Sequence, residues 1–379
     1  GVCNLTATMD ADQIDSEVTN DWSADMIGAL GAKSTRIWMF MARLINTSSS
    51  SDEVSIRKEK CVAVHDYITK LKNNGVERIV GMLNMYISPY EFNSSSSVVC
   101  PSVYDDYDMY VKFLAKMEKC FSLIAAEFPE IQYWEIENEP DIAHGSWFHK
   151  RNGDSFTVAE GSHITADLCW YASRAIKKVN PENKIVLAGL TDGENSPKYL
   201  DSIYESIESG YLPTAEEFSD KNPDNYFDIL AWHPYPSLND VEGFLKQENA
   251  MYDVVKAHGD DGKTVFYTEF GFSDYRFGGV SGENGSDDTQ QRVADSMILY
   301  LDAIKKNLPF VETVFVFRLT NIKQMYTSGS IENSFGLFYS PNDTDDKASV
   351  PKPIALALFK YFNGENADVS ALYKYVKNK

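Results

Sequence analysis

The sequence predicts an α/β fold, a (β/α)8 TIM barrel, because eight short apolar runs alternate with eight longer amphipathic stretches. The apolar runs lack the alternation of apolar and polar residues that a half-exposed sheet shows, which indicates parallel strands buried on both faces. A doubly wound sheet would normally contain fewer strands. We therefore expect a closed barrel with its helices on the outside.

The predicted elements follow one another as strand and helix. The strands are residues 2–6, 34–40, 78–87, 132–138, 184–190, 227–233, 264–270 and 313–319. The helices are residues 22–32, 54–73, 107–128, 163–179, 197–208, 241–257, 289–306 and 353–362. In the third helix Tyr110, Leu114 and Met117 share one apolar stripe, so this helix has a face to bury.

No linker rich in Pro, Gly or Ser divides the chain, so we predict one catalytic domain over residues 1–379. The loops after the strands are long, and they comprise residues 46–52, 90–104, 141–161, 273–288 and 320–349. Such loops build the active-site face of a barrel, so functional residues are expected at the carboxyl ends of the strands.

The composition excludes several function classes. With 35 basic and 56 acidic residues the formal net charge is −21, which disfavours nucleic acid and suits a neutral substrate. No apolar run reaches the roughly 20 residues that span a bilayer. The six histidines form no His-Glu-x-x-His motif, and the five cysteines form no Cys-x-x-Cys pair. We expect no membrane span, no metal and no cofactor.

Two glutamates lie where predicted strands end. Glu139 closes the fourth strand between Asn138 and Pro140, and Glu269 closes the seventh. Glycoside hydrolysis needs such a pair, because one carboxyl group protonates the leaving oxygen while the other stabilises or attacks the anomeric carbon. A single acidic residue at a strand end is more often a cap or an ion-pair partner. Two of them on the fourth and seventh strands predict a catalytic pair.

On these motifs the sequence resembles glycoside hydrolase clan A, and within it families five and thirty-nine. The resemblance covers the strand order of the whole chain, with motif identity in strands two, four, six and seven. It implies a retaining enzyme in which Glu139 is the general acid/base and Glu269 is the nucleophile.

The resemblance also implies roles for neighbouring residues. Arg36 and Tyr235 would keep Glu269 ionised, with His233 beside them, and Asn138 would bond the 2-hydroxyl of the sugar. A buried salt bridge is the alternative for Arg36, and a structural role is the alternative for His233.

Aromatic residues make up 13% of the chain, and sugar rings pack against such side chains. We expect Trp38, Trp147 and Phe317 to bind substrate. Phe317 lies where many clan members have tryptophan, so either it replaces that platform or the subsite differs.

The acidic residues Glu135 and Glu137 alternate with Glu139 along the predicted fourth strand. All three are therefore expected to face the barrel interior, where like charges would raise the pKa of Glu139. Glu137 is the alternative candidate for the general acid.

Together these features predict a secreted or cell-surface, monomeric, retaining hydrolase of β-linked polysaccharide or oligosaccharide. β-Glucan is favoured ahead of xylan and mannan. The alternatives are an exo-acting β-glycosidase of the β-xylosidase or β-glucosidase type and a non-catalytic carbohydrate-binding barrel.

Overall fold

The computed structural model describes most of the chain. The described residues are 1–4, 20–48, 51–84, 98–99, 107–142, 148–149, 154–191, 193–210, 221–275, 286–321, 334–341 and 347–376.

Within these ranges, eight parallel strands form the barrel. They are β1 (Val2–Asn4), β2 (Ser34–Phe40), β3 (Arg78–Asn84), β4 (Tyr133–Ile136), β5 (Lys184–Val186 and Leu190–Thr191), β6 (Leu230–His233), β7 (Val265–Phe270) and β8 (Val311–Val316). Each strand pairs with the next, and β8 pairs with β1 through Val2 and Val316. A bridge from Val186 to Ile229 completes the contact between β5 and β6, so the barrel is closed.

Among the described residues, eight helices of ten residues or more follow the strands in turn, and a short helix, Met41–Leu44, directly follows β2. The eight longer helices are α1 (Asn20–Ala29), α2 (Lys58–Asn73), α3 (Tyr107–Glu127), α4 (Val158–Val179), α5 (Ser196–Ser209), α6 (Val241–Ala257), α7 (Asp287–Asn307) and α8 (Pro353–Asn363). A capping box begins α4, where Thr157 and Glu160 bond each other's backbone N–H groups. The apolar faces of the helices pack on the outside of the strands and form the main core. The predicted (β/α)8 fold is confirmed.

The barrel interior contains a separate apolar cluster near the amino ends of the strands. It consists of Val80, Val186, Ile229, Ala231, Phe266 and Phe315, with Tyr133 against it. The Arg78 guanidinium lies 4.8 Å from the Tyr133 ring and 5.2 Å from the Phe266 ring, and it closes this end. Side chains therefore fill this end of the interior, and in a barrel of this kind the active site is expected at the carboxyl end.

The structure differs from the sequence-based prediction at one β-hairpin. Ile45–Ser48 and Ser51–Ile56 form an antiparallel pair, whereas we expected a loop over residues 46–52 and a helix from residue 54. Val54 and Ile56 are β-branched and pair across to Thr47 and Ile45. Strand pairing therefore overrides the helical pattern until residue 58.

Two further observations concern the rest of the described chain. No described helix has both the length and the apolarity that a membrane span requires. Cys3, Cys61, Cys120 and Cys169 are buried free thiols, and Cys100 lies outside the described residues.

Candidate active site

The backbone bends sharply just beyond β4. Glu137 and Glu139 have φ values of 77° and 49°, in the left-handed region that costs a non-glycine residue about 1–3 kcal/mol. Asn138 forms a bridge with Gly189, and Glu139 N donates to Gly189 O at 2.9 Å. Contacts with β5 therefore hold Glu139 in a strained position at the carboxyl end of the barrel.

Asp141 anchors the turn that carries Glu139. Its carboxylate accepts from Thr191 N at 3.1 Å, from Thr191 Oγ1 at 2.8 Å and from Ser196 Oγ at 2.6 Å. Ser196 is the first residue of α5. Asp141 thus ties the segment after β4 to the segment after β5.

The end of β7 carries an irregularity that changes the direction of its side chains. The register with β8 shifts between Tyr267 and Phe270, and within this shift lie Thr268 and Glu269. Thr268 Oγ1 donates to Glu135 Oε1 at 3.0 Å, while Glu269 contacts Arg36. The shift therefore brings two consecutive side chains of β7 into one polar cluster.

Arg36 lies at the centre of that cluster and is fully buried. Its Nε and Nη2 donate to Glu135 at 2.6 and 2.9 Å. Its Nη1 donates to Glu269 Oε1 at 2.6 Å, and Nη2 also donates to Asn138 Oδ1 at 2.8 Å. Arg36 thus forms both the predicted contact with Glu269 and a buried salt bridge with Glu135, and it orients the Asn138 amide.

Glu269 is held as a carboxylate. Burial raises its pKa, but the charges of His233 and Arg36 and a hydrogen bond from Tyr235 outweigh burial, so the pKa lies below its usual value. The Tyr235 hydroxyl donates to Glu269 Oε2 at 2.5 Å. An ionised, oriented carboxylate is what a nucleophile requires.

Glu139 is more exposed than Glu269 and has a different partner. The Glu139 side chain is 23% exposed against 6% for Glu269. His233 Nδ1 lies 2.8 Å from Glu139 Oε1, and His233 Nε2 lies 2.9 Å from Thr268 Oγ1. Glu139 is therefore the more accessible of the two carboxyl groups at the barrel mouth.

The two carboxyl groups lie close together across the barrel. One oxygen of Glu139, one oxygen of Glu269 and one ring nitrogen of His233 all lie within 4.8 Å of one another. Retaining glycosidases have carboxyl groups about 5–5.5 Å apart, and inverting enzymes need about 6.5–9.5 Å. The approach of these two oxygens is nearer to the retaining range than to the inverting one.

The predicted aromatic residues differ in position. Trp38 is half-buried, with the Arg36 guanidinium 5.7 Å from its ring, so it borders the polar cluster. Phe317 is 5% exposed and packs edge-on to Tyr235 at 6.1 Å, which leaves it little surface for a sugar. A cis peptide bond follows Phe317. Trp147 lies outside the described residues.

Glu137 does not follow the expected alternation. Its positive φ takes it out of the strand conformation, and its Oε1 accepts from Asn138 N at 3.3 Å. Glu137 is 2% exposed. It is therefore a buried residue beyond the regular part of β4, whereas Glu135 lies in the polar cluster as expected.

Sequence reasoning missed Thr268 and the partners of Glu135. Thr268 directly precedes Glu269, so alternation along a regular strand would direct it to the opposite face. The register shift that brings it inward has no sequence signal that we identify. The partner of Glu135 could have been predicted, because a buried carboxylate needs a cationic partner and Arg36 lies on another predicted strand of the same barrel.

Solved structures match this chain, whereas sequence families do not. No family model and no curated protein matches the sequence. Solved structures do match: a family 39 glycoside hydrolase from the gut symbiont Bacteroides cellulosilyticus WH2 has a TM-score of 0.59 and 12% identity over 96% of this chain. The chain therefore shares the barrel fold of this glycoside hydrolase.

Two further solved structures match this chain over nearly the whole length of both proteins. A family 5 broad-specificity endoglucanase from Clostridium acetobutylicum has a TM-score of 0.58 and 12% identity over 95% of this chain and 96% of its own. A β-glucosidase from Exiguobacterium marinum has a TM-score of 0.57 and 14% identity over 97% and 98%. This chain spans only 63% of the length of the family 39 enzyme.

Proposed function

We propose that this protein is a retaining glycoside hydrolase that cleaves β-linked glycans by double displacement. The observation that carries the proposal is the approach of Glu139 and Glu269 to within 4.8 Å at the open end of the barrel. The different surroundings of the two groups support it, because one is held ionised and the other pairs with a histidine.

In the first half-reaction Glu269 attacks the anomeric carbon while Glu139 protonates the departing oxygen. The bonds from Arg36 and Tyr235 fix the attacking carboxylate, and Asn138, held through its Oδ1 by Arg36, directs its amide NH₂ away from that cation. That NH₂ is the group we assign to the sugar 2-hydroxyl.

In the second half-reaction Glu139 takes a proton from water, and the water oxygen replaces Glu269 at the anomeric carbon. The product keeps the anomeric configuration of the substrate. The 23% exposure of the Glu139 side chain gives water access to it without movement of the buried nucleophile.

For the substrate we propose a β-glucan first, then xylan or mannan. A chain with a net charge of −21 suits a neutral glycan. Similar folds include an endoglucanase and a β-glucosidase, so an exo-acting β-glycosidase is the second candidate. Because glycan polymers do not cross membranes, we propose that the protein acts, as a monomer, outside the cell or on its surface.

The decisive experiment replaces the proposed nucleophile and, as a control, the buried Glu137. Glu269→Gln should lower the hydrolysis of every glycoside by at least about 10³-fold while binding persists, because the nucleophile is lost and the shape is kept. Glu137→Gln is the matched control, since it makes the same change two residues from Glu139, and it should retain most activity. An unaffected rate in Glu269→Gln would contradict the proposal and favour a binding barrel.

Three product measurements refine the assignment. The first-formed anomer, followed by NMR, should match the substrate anomer, and the opposite anomer would exclude double displacement. A panel of β-glucan, xylan and mannan identifies the sugar. Product sizing then separates mixed oligosaccharides, expected of an endo enzyme, from single sugars, expected of the exo-acting alternative.

A further inference from the structure

A chain of hydrogen bonds lies beneath the acid/base and ends at a salt bridge. His233, Thr268 and Glu135 are all fully buried. Thr268 Oγ1 lies 2.9 Å from His233 Nε2 and 3.0 Å from Glu135 Oε1, and His233 Nδ1 lies 2.8 Å from Glu139 Oε1. Glu139 is thus connected to Glu135 through two intermediate side chains.

The direction of each bond follows from Glu135. Its carboxylate receives two N–H groups of Arg36 and the backbone N–H of Gly189 at 3.1 Å. A carboxylate that accepts two N–H groups of one guanidinium is ionised, so it can only accept hydrogen bonds. The single hydroxyl proton of Thr268 is therefore donated to Glu135. Thr268 Oγ1 then accepts from His233, so His233 Nε2 bears a proton.

We infer that Thr268 and Glu135 are positioning residues that fix His233 as its Nε2–H tautomer, so that Nδ1 shares the catalytic proton with Glu139. The inference rests on the proposed function, because the shared proton is the one that Glu139 transfers. Both residues lie beneath the site and act through His233, without contact with the substrate.

The proton balance of the cycle follows from this arrangement. One proton lies between His233 Nδ1 and Glu139 Oε1 in the free enzyme. Glu139 gives it to the glycosidic oxygen as that C–O bond breaks and the bond to Glu269 forms. The Nδ1 lone pair then faces an ionised carboxylate, and this repulsion makes Glu139 a stronger base. Water returns the proton as its oxygen bonds the anomeric carbon and Glu269 departs.

Four charged groups lie around His233. Glu269 Oε2 lies 3.8 Å from Nδ1, Glu135 Oε1 lies 4.0 Å from Nε2, and Glu139 and Arg36 complete the set. Burial lowers the pKa of His233 and Arg36 lowers it further, but the carboxylates of Glu269 and Glu139 raise it, so the net pKa lies above its usual value. This direction agrees with a proton retained between His233 and Glu139.

The test removes only the hydroxyl of Thr268. In Thr268→Val the imidazole can adopt the Nδ1–H form, which stabilises ionised Glu139. The alkaline limb of kcat/KM for a glycoside with a poor leaving group should move to lower pH by about one unit, a tenfold loss above the limb. A 2,4-dinitrophenyl glycoside, whose leaving group departs without a proton, should lose far less. Thr268→Ser keeps the hydroxyl and should restore the wild-type profile.

Two results would overturn the inference and leave the proposed function intact. The first is a kinetic result: the pH profile of Thr268→Val matches the wild type, or the variant loses the same activity with both leaving groups at every pH. The other comes from ¹⁵N NMR of the wild-type imidazoles, with His233 assigned through a His233→Gln variant. We expect a protonated Nε2, and a bare Nε2 would contradict the inference. A wild type inactive on every glycoside would instead contradict the proposed function, while the NMR measurement still decides the tautomer.

Discussion

The two ends of the barrel interior differ in chemistry. The amino end contains apolar residues from five strands and from the segment before β6, whereas the carboxyl end contains Arg36, Glu135, His233, Thr268 and Glu269. Burial stabilises the apolar end directly, by about 25 cal/mol per Å². At the polar end, burial of each charge costs free energy that its partner must offset. The amino end therefore stabilises the barrel, while the carboxyl end holds a charged arrangement that stability alone would not select.

Backbone strain is also found at the polar end. Two of the four described non-glycine residues with a positive φ, Glu137 and Glu139, lie there, just beyond β4. We expect such conformations only where the surrounding contacts hold them, and here the bonds to β5 do so.

The largest effect should come from Arg36→Leu, which tests whether the polar end depends on its central cation. Loss of Arg36 leaves Glu135 and Glu269 buried without their partner, so the free energy of unfolding should fall by about 3–5 kcal/mol and hydrolysis should be lost. Urea unfolding and kcat/KM measure both. The double variant Arg36→Leu with Glu135→Leu should regain stability without regaining activity. Unchanged stability in the single variant would contradict the description of this end.

At the opposite end, Phe315→Ala should separate stability from activity. Phe315 is fully buried, and its ring lies 6.0 Å from that of Phe266. The cavity should lower the free energy of unfolding by about 3–5 kcal/mol, with kcat close to wild type at temperatures where the variant is folded. A large loss of kcat in the folded variant would show that the two ends are coupled.

A buried carboxyl group outside both ends sharpens the comparison. Asp167 in α4 accepts from Tyr110, and burial raises its pKa to about 8 from 3.8. Its native form is therefore protonated while its unfolded form is ionised between these values. The stability it contributes is complete below about pH 4 and falls by about 1.4 kcal/mol per pH unit as the pH rises to about 8. Asp167→Asn should remove this slope, so its stability relative to wild type should increase from pH 5 to pH 8 in urea unfolding. Parallel curves for the two proteins would be evidence against a protonated Asp167.

The smallest effect should come from Tyr235→Phe. The Tyr235 hydroxyl helps to lower the pKa of Glu269, so its removal raises that pKa, and the nucleophile becomes ionised only at higher pH. The acid limb of kcat/KM should move upwards, with about a tenfold loss at low pH and little change in thermal stability. An acid limb that stays in place would assign the ionisation of Glu269 to Arg36 and His233 alone.

Much of the fold follows from local pattern. The run Ser34–Phe40 and the helix Val241–Ala257 have the bounds that their residues predict, since burial on both faces and a 3.6-residue period are strong signals. The prediction for the segment before α2 was wrong. Val54 and Ile56 fit both the period of a strand and the period of a helix, and only their partners in the other strand of the hairpin decide between the two. Long-range pairing decided that segment.

The site was predictable in its residue types and less so in its connections. Glu139 and Glu269 follow from their places at strand ends, and Arg36 and Tyr235 from the resemblance. Thr268 could not be predicted, because a register shift in β7 depends on its fit with β8. Alternation also failed at Glu137, where a positive φ replaces the strand conformation.

Gly189 lies in the interruption of β5, where its N–H bonds Glu135 and its carbonyl bonds the backbone of Glu139. A methyl group added there would lie 2.0 Å from His233 Nε2 and 2.7 Å from Thr268 Oγ1. Gly189→Ala would thus force those two side chains apart without adding a charge or reaching the barrel mouth. The imidazole of His233 occupies the space that a side chain at residue 189 would need, so this glycine is as much a part of the candidate site as any of its acids.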